Sequence, residues 1–228
     1  MEGGRQPEWW NPLTGSCRDL PQFESKGGIT TLTVRLPALE SGFVVFRKPT
    51  AKPSGAGTNF SETKALQTLT APWEVSFDPK WGGPEKIVFG ALDDWSKRSE
   101  PGIRHYSGKA VYRTTFDHHV MDAEKRLFLS LGEVKNLATI KLNGHDLGIV
   151  WCAPWRVEVP AHLIKAQGNQ LEITVANLWI NRLIGDSGLP ESKRLTWTTR
   201  NPYKPHSPLQ ASGLLGPVQI ISNTIPNR

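Results

Sequence analysis

The sequence predicts an all-β protein, a jelly-roll β-sandwich joined to a smaller β-rich N-terminal piece. Three observations predict it. Apolar residues alternate with a period of two along several segments. Helical periodicity is almost absent. Gly, Pro and Asn-Gly punctuate the chain at the spacing of short strands. Many short strands of this kind close into a sandwich or jelly roll.

Taken in chain order, Ile29–Leu36 and Phe43–Phe46 are the first strand candidates. Two strands cannot bury a core alone. Residues 1–49 therefore read as a small β-rich segment, either the tail of a larger domain or a piece that packs on the domain C-terminal to it. Residues 50–70 read as a linker or loop, because Pro49–Asn59 is rich in Pro, Gly, Ser, Thr and Lys. Residues 71–224 have the size of a full domain. Within it, Ala110, Tyr112, Thr114 and Phe116 alternate with Val111, Arg113 and Thr115. Leu127, Leu129 and Leu131 share a face, as do Trp155, Val157 and Val159, and then Leu171, Ile173 and Val175. Such strands bury one face and wet the other. Asn143-Gly144 predicts a tight hairpin between Ala138–Leu142 and Leu147–Val150, because a type I′ turn needs positive φ at both central residues. Gln167-Gly168-Asn169 marks another break. Ala161–Ala166 has room for a single helical turn.

The bulk numbers exclude several classes. Of 228 residues, 38% are hydrophobic, and no run approaches the roughly 18 to 20 apolar residues of a spanning helix. No membrane partner is expected. Met1–Asn11 is polar, contains Pro7 and has no apolar h-region, so this chain shows no signal peptide. The net charge is +6, from 27 basic and 21 acidic residues, but no basic run exceeds two residues. Nucleic-acid binding is not expected. Cys17 and Cys152 are far apart and are expected to be free thiols. The aromatic inventory is unusual, with nine Trp against three Tyr. An indole has a broad apolar face and one N–H donor, which suits the C–H face and hydroxyl edge of a sugar ring. The same residues also serve as core.

Catalytic motifs are scarce. Gly185-Asp186-Ser187-Gly188 matches the nucleophile segment of trypsin-like proteases, but Leu189 replaces the second Gly and no matching His segment precedes it. His118-His119 lacks metal spacing, and neither His-Glu-x-x-His nor Cys-x-x-Cys occurs. Gly102–Lys109 lacks the glycine spacing of a phosphate loop. Paired carboxylates for glycoside hydrolysis meet in space and have no fixed spacing. Asp93, Asp94, Glu133, Asp146, Glu158, Asp186 and Glu191 are the candidates, each also readable as a solvated acid. The densest polar-aromatic cluster is Asn177–Asp186, which breaks the alternation of the preceding strand and reads as a loop. Its Asn177, Trp179, Asn181, Arg182 and Asp186 could bond and stack on a sugar. Alternatively, Arg182 and Asp186 pair to pin the loop while Trp179 caps the core.

Several segments resemble a known family. Tyr106–Phe116 (YSGKAVYRTTF) resembles the opening of the sugar-binding, galactose-binding-like jelly roll of family 2 glycoside hydrolases. Leu131-Gly132-Glu133-Val134, Ala138–Gly144, Leu147-Gly148, Trp151, Pro154 and Gly168–Leu171 continue that pattern. Asn177–Asp186, Leu195-Thr196-Trp197 and Ser212–Pro217 (SGLLGP) look most like the C-terminal region of glycoside hydrolase family 106, whose activity is α-L-rhamnosidase. Phe43–Pro49 is similar to the strand preceding that jelly roll. The resemblance runs from about residue 17 to 222.

It implies a carbohydrate-binding or accessory C-terminal module of a glycoside hydrolase. In that family the catalytic acids lie on a large barrel N-terminal to this region, and such a barrel alone needs over about 200 residues. No catalytic residue can be carried over. The implied partners are a glycan and the catalytic barrel of a parent enzyme, in a secreted or periplasmic setting. No cofactor is required, although a structural calcium is compatible with oxygen-rich loops. Two alternatives remain, a purely structural domain bracing the barrel and a small stand-alone glycosidase. The ligand site is expected at Trp179, Asn181, Arg182 and Asp186, with Trp151 or Trp155 as the stacking face.

Overall fold

The computed structural model describes residues 4–37, 40–60, 62–118 and 125–224. The chain divides into two compact units, residues 1–63 with 223–228, and residues 64–222. His119, adjacent to His118 in the sequence, lies outside the described residues.

The first unit holds two three-stranded antiparallel sheets. In one, β1 (Arg5–Trp10) lies between β2 (Cys17–Asp19) and β5 (Phe43–Pro49). In the other, β3 (Phe23–Lys26) lies between β4 (Ile29–Leu32) and β6 (Ser54–Gly55). Trp9, Leu20 and Phe23 are buried. A Cβ at Gly42 would come within 2.1 Å of the Trp9 indole, so the ring needs glycine there. Sequence alternation revealed only β4 and β5. Strand β1 carries Pro7 and buries the charged Glu8, so it shows no apolar period. The candidate Ile29–Leu36 stops at Leu32, and Val34 and Leu36 are exposed.

The stretch 50–70, expected as linker or loop, carries β6 and β7 (Thr63–Thr68). Its Asn59 is buried, accepting from Gln22 N at 2.8 Å and donating to Gln22 O at 2.8 Å. The Pro, Gly and Ser residues there mark turns between short pairings.

The second unit is a β-sandwich. A six-stranded sheet runs in the order β14 (His145–Val150), β13 (Leu137–Leu142), β16 (Asn169–Ala176), β10 (Lys109–Phe116), β8 (Trp73–Ser76) and β9 (Ile87–Phe89). A four-stranded sheet runs β15 (Arg156–Val159), β11 (Lys125–Ser130), β18 (Gln219–Thr224) and β7. A short ribbon pairs β12 (Glu133–Lys135) with β17 (Gly213–Gly216). The alternation read from the sequence is the burial pattern observed. Ala110, Tyr112, Thr114 and Phe116 point inward, as do Leu127, Leu129, Leu171, Ile173 and Val175. Each fully buried aliphatic side chain contributes about 1.5 to 3 kcal/mol. Asn143 and Gly144 form the tip of the β13–β14 hairpin, at φ 51° and 83°.

Aromatic packing closes one end of this core. Trp95 stacks on Tyr112 with ring planes 9° apart and donates its indole N–H to the Tyr112 hydroxyl at 2.5 Å. The same hydroxyl accepts from Leu214 N at 3.3 Å, and burial pushes its pKa up. Trp73 and Trp95 are both fully buried core residues.

Among the described residues, two short α-helices interrupt the strands, α1 (Pro101–Arg104) and α2 (Ile180–Ser187). Helix α2 corrects the expectation of a loop after Ala176. Gly185 within it and the mixed polar content obscured its period. Ala161–Leu163 forms one 3₁₀ turn, at the place where a single helical turn was expected. Cys17 and Cys152 are free thiols. Among the described residues, no helix is long and apolar enough to cross a membrane.

Candidate functional site

The segment from Asn177 to Asp186 leaves the end of β16 and turns into α2. Its polar side chains are largely committed to the fold. Asn177 accepts from Gly108 N at 3.0 Å and donates to Tyr106 O at 2.8 Å. Asn181 is buried, donating to Gln210 O at 2.7 Å and accepting from Gln210 N at 2.8 Å. Arg182 and Asp186 are 6% and 2% exposed and pair at 3.0 Å, one helical turn apart. The other Asp186 oxygen accepts from Thr196 N at 2.9 Å and Thr196 Oγ1 at 2.6 Å. Asn201 donates to Leu183 O at 2.8 Å. These bonds pin the long segment between α2 and β17 against the sandwich. A buried carboxylate or guanidinium left without such partners would be costly.

The tryptophans behave differently. Trp151 is 63% exposed and Trp179 58% exposed. Strand register brings them to the same end of the six-stranded sheet. Ala138 pairs with Val150, and Trp151 is the next residue. Leu137 pairs with Ala176, and Leu178 and Trp179 come shortly after it. Leu137, Ile149 and Leu178 are also exposed. This makes an apolar, partly aromatic rim at one sheet end. Farther along the outer face, Lys141, Glu172 and Arg113 stand in one row, with Arg113–Glu172 at 2.9 Å. Trp155, the other expected stacking residue, is half-buried and packs on the core.

Beside Leu178 lies a cleft of about 140 Å³ lined by Lys135, Asn136, Ile180, Asn181, Gln210 and Ser212. Lys135, Asn136 and Gln210 carry no signal in the sequence. They come from two separate segments, 135–136 and 210, and only the fold brings these together. Of the six residues expected from the sequence, Trp151 and Trp179 present open ring faces at the rim. Asn181, Arg182 and Asp186 lie beneath the surface, and Trp155 packs inward. Trp197 is 75% exposed, and the sequence marked it only through the family resemblance of Leu195-Thr196-Trp197.

Five further candidate carboxylates have local partners. Asp93 meets Arg98 at 3.3 Å, Glu133 meets Lys135 at 2.8 Å, and Glu158 pairs with Arg126. Arg126 holds the Glu158 carboxyl below its ordinary pKa. Asp94 caps the turn Trp95–Lys97 by accepting from Ser96 N at 2.9 Å, and Asp146 accepts from Gly148 N at 2.7 Å. Among the described residues, no three His, Cys, Asp or Glu side chains converge as a metal site.

Comparison with known proteins fits this architecture. Residues 95–201 match the family described as the glycosyl hydrolase 2 galactose-binding domain-like family. A solved rhamnosidase from Novosphingobium sp. PP1Y superposes on 97% of this chain with a TM-score of 0.86 and 36% identity. A Formosa agariphila protein provisionally named a β-glucuronidase is 34% identical over 177 residues, 67% of this chain. The chain spans 21% of the rhamnosidase and 15% of the Formosa protein. Residues 95–201 thus match a galactose-binding-like domain of the glycosyl hydrolase 2 type, and the fold of the chain superposes on one part of a rhamnosidase.

Proposed function

We propose that this chain is a carbohydrate-binding accessory module of a glycoside hydrolase of the α-L-rhamnosidase type, as in family 106, and has no catalysis of its own. The observation that carries this reading is the match of 97% of the chain to about a fifth of a rhamnosidase. The exposed faces of Trp151 and Trp179 supply stacking surfaces for a sugar ring. Lys135, Asn136 and Gln210 in the adjacent cleft supply hydroxyl partners. Arg182, Asp186 and Asn181 support the site from beneath. The partner in the parent enzyme is a catalytic barrel.

A second reading, a brace for that barrel without a ligand, is favoured by Leu137, Ile149 and Leu178. These aliphatic side chains are exposed and can offer a sugar no hydrogen bond. A glycan array on the purified chain, with nitrophenyl glycoside hydrolysis assayed on the same sample, separates the readings. Accessory binding gives array signal and no turnover. The brace gives neither. Turnover that disappears on mutating one carboxylate makes the chain an enzyme.

A further inference from the structure

A second cleft in the same unit has a different chemistry. It has a volume of about 300 Å³ and lies between the C-terminal end of α1, the side of α2 and the segment 205–209. That is the low end of the range for ligand sites. Its polar side chains are Arg104, His105, His206, Ser96 and Ser207. Among the described residues, no Asp or Glu lines it. Neither the Arg104 nor the His206 side chain has a hydrogen-bond or ion-pair partner among the described residues.

Two acids on neighbouring segments are already occupied. Asp94 accepts from Ser96 N and from Ser212 N at 3.0 Å. Asp186 is taken by Arg182 and Thr196. Arg182 lies close behind the cleft wall. A Cβ on Gly185 would stand 2.7 Å from its Nη2 and 2.9 Å from the His105 side chain. Burial, and then the charges of Arg182 and Arg104, hold the His105 imidazole below its ordinary pKa. The site therefore has a positive field and several side-chain donors that no carboxylate in its lining receives. An oxyanion answers both conditions, because a guanidinium, an imidazole and hydroxyls can all donate to it.

We infer that this cleft binds the anionic group of an acidic saccharide, a carboxylate or a sulfate ester. The inference rests on the carbohydrate-binding reading for the rest of the ligand. Arg104 supplies the charge, His105 and His206 the directional donors, and Ser96 and Ser207 the hydroxyls. Ile184, Pro205, Pro208 and Leu209 form the apolar wall against a ring.

The test is a titration of the full 228-residue chain with D-glucuronate, glucose 6-sulfate and D-glucose, monitoring the His105 and His206 ring signals by NMR. The expected result is a saturable shift of both rings with at least one anionic sugar and none with glucose. Glucuronate alone assigns a uronate, and glucose 6-sulfate alone assigns a sulfate ester. Arg104→Gln should weaken the response about tenfold, the equivalent of one charge-assisted bond. His206→Gln, in a loop away from the core, is the second variant and should also weaken it. Equal shifts with glucose, no shift with either anion, or full affinity in both variants would overturn the assignment. Neutral-glycan binding that depends on Trp179 while these rings stay unmoved defeats this inference alone. Anion-induced ring shifts without any array signal defeat the accessory-module reading instead.

Discussion

The Arg182 guanidinium and the Asp186 carboxylate meet at 3.0 Å inside α2, both withdrawn from water. Through Asp186 the pair also holds Thr196, and so fixes the segment C-terminal to the helix. Removing one partner leaves the other buried and uncompensated. Asp186→Ala is expected to destabilise the domain by about 3 to 5 kcal/mol. Urea unfolding checks this as a lower midpoint at unchanged slope. A change within about 0.5 kcal/mol, as at ordinary surface sites, would show the pair is not structural.

Tyr112→Phe tests the aromatic end of the core. The hydroxyl accepts from Trp95 Nε1 and Leu214 N, and the variant keeps the ring but strands both donors. The expected loss is about 1 to 3 kcal/mol for each unsatisfied buried donor. A stability equal to the wild type would mean that water or another acceptor reaches both.

Two glycines separate backbone strain from steric clash. Gly144 has φ 83° and open space where a Cβ would go. Gly144→Ala should cost about 1 to 2 kcal/mol, the penalty of the left-handed region. Gly213 has φ 101°, and a Cβ there would stand 2.4 Å from the Trp95 indole nitrogen. Gly213→Ala adds overpacking, typically about 1 to 3 kcal/mol more. Thermal melts of the two variants should therefore rank Gly213→Ala well below Gly144→Ala, and the reverse order would contradict the packing described.

The first unit should be acid-sensitive through Glu8. Its buried carboxylate bonds Arg47 at 2.8 Å and lies 3.1 Å from Lys48, which together lower its pKa from 4.5 to about 2. Between these values the unfolded chain binds the proton and the folded one does not. Glu8 therefore contributes stability above pH 4.5 that is lost as pH falls toward 2. Glu8→Gln should flatten the pH dependence of unfolding in that window. An unchanged slope would place the sensitivity elsewhere.

The sandwich was legible because alternation and turn chemistry are local. Val175 and Ile173 could be oriented from their neighbours, and Asn143-Gly144 carried its turn type in two residues. Strand β1 was not legible, because Glu8 is buried by ion pairs from β5, a contact no local pattern encodes. Helix α2 was missed because its i,i+4 pair of Arg182 and Asp186 reads equally well as two ligand groups. The site was half legible. Sequence singled out Trp151 and Trp179 by type, yet exposure separates them from Trp73 and Trp95, and exposure depends on strand register. Arg104 and His206 are about a hundred residues apart, and nothing in either segment hints at a shared cleft.

The accessory-module reading is tested most directly by calorimetry with rhamnose-containing oligosaccharides, comparing the wild type with Trp151→Ala/Trp179→Ala. The expected result is binding in the millimolar to micromolar range, consistent with stacking and a few hydrogen bonds. The double variant should lose it while its melting temperature stays within about a degree or two of the wild type, because both rings lie in water. Wild-type affinity in the double variant, or no heat from any such oligosaccharide with the wild type, would contradict the proposal.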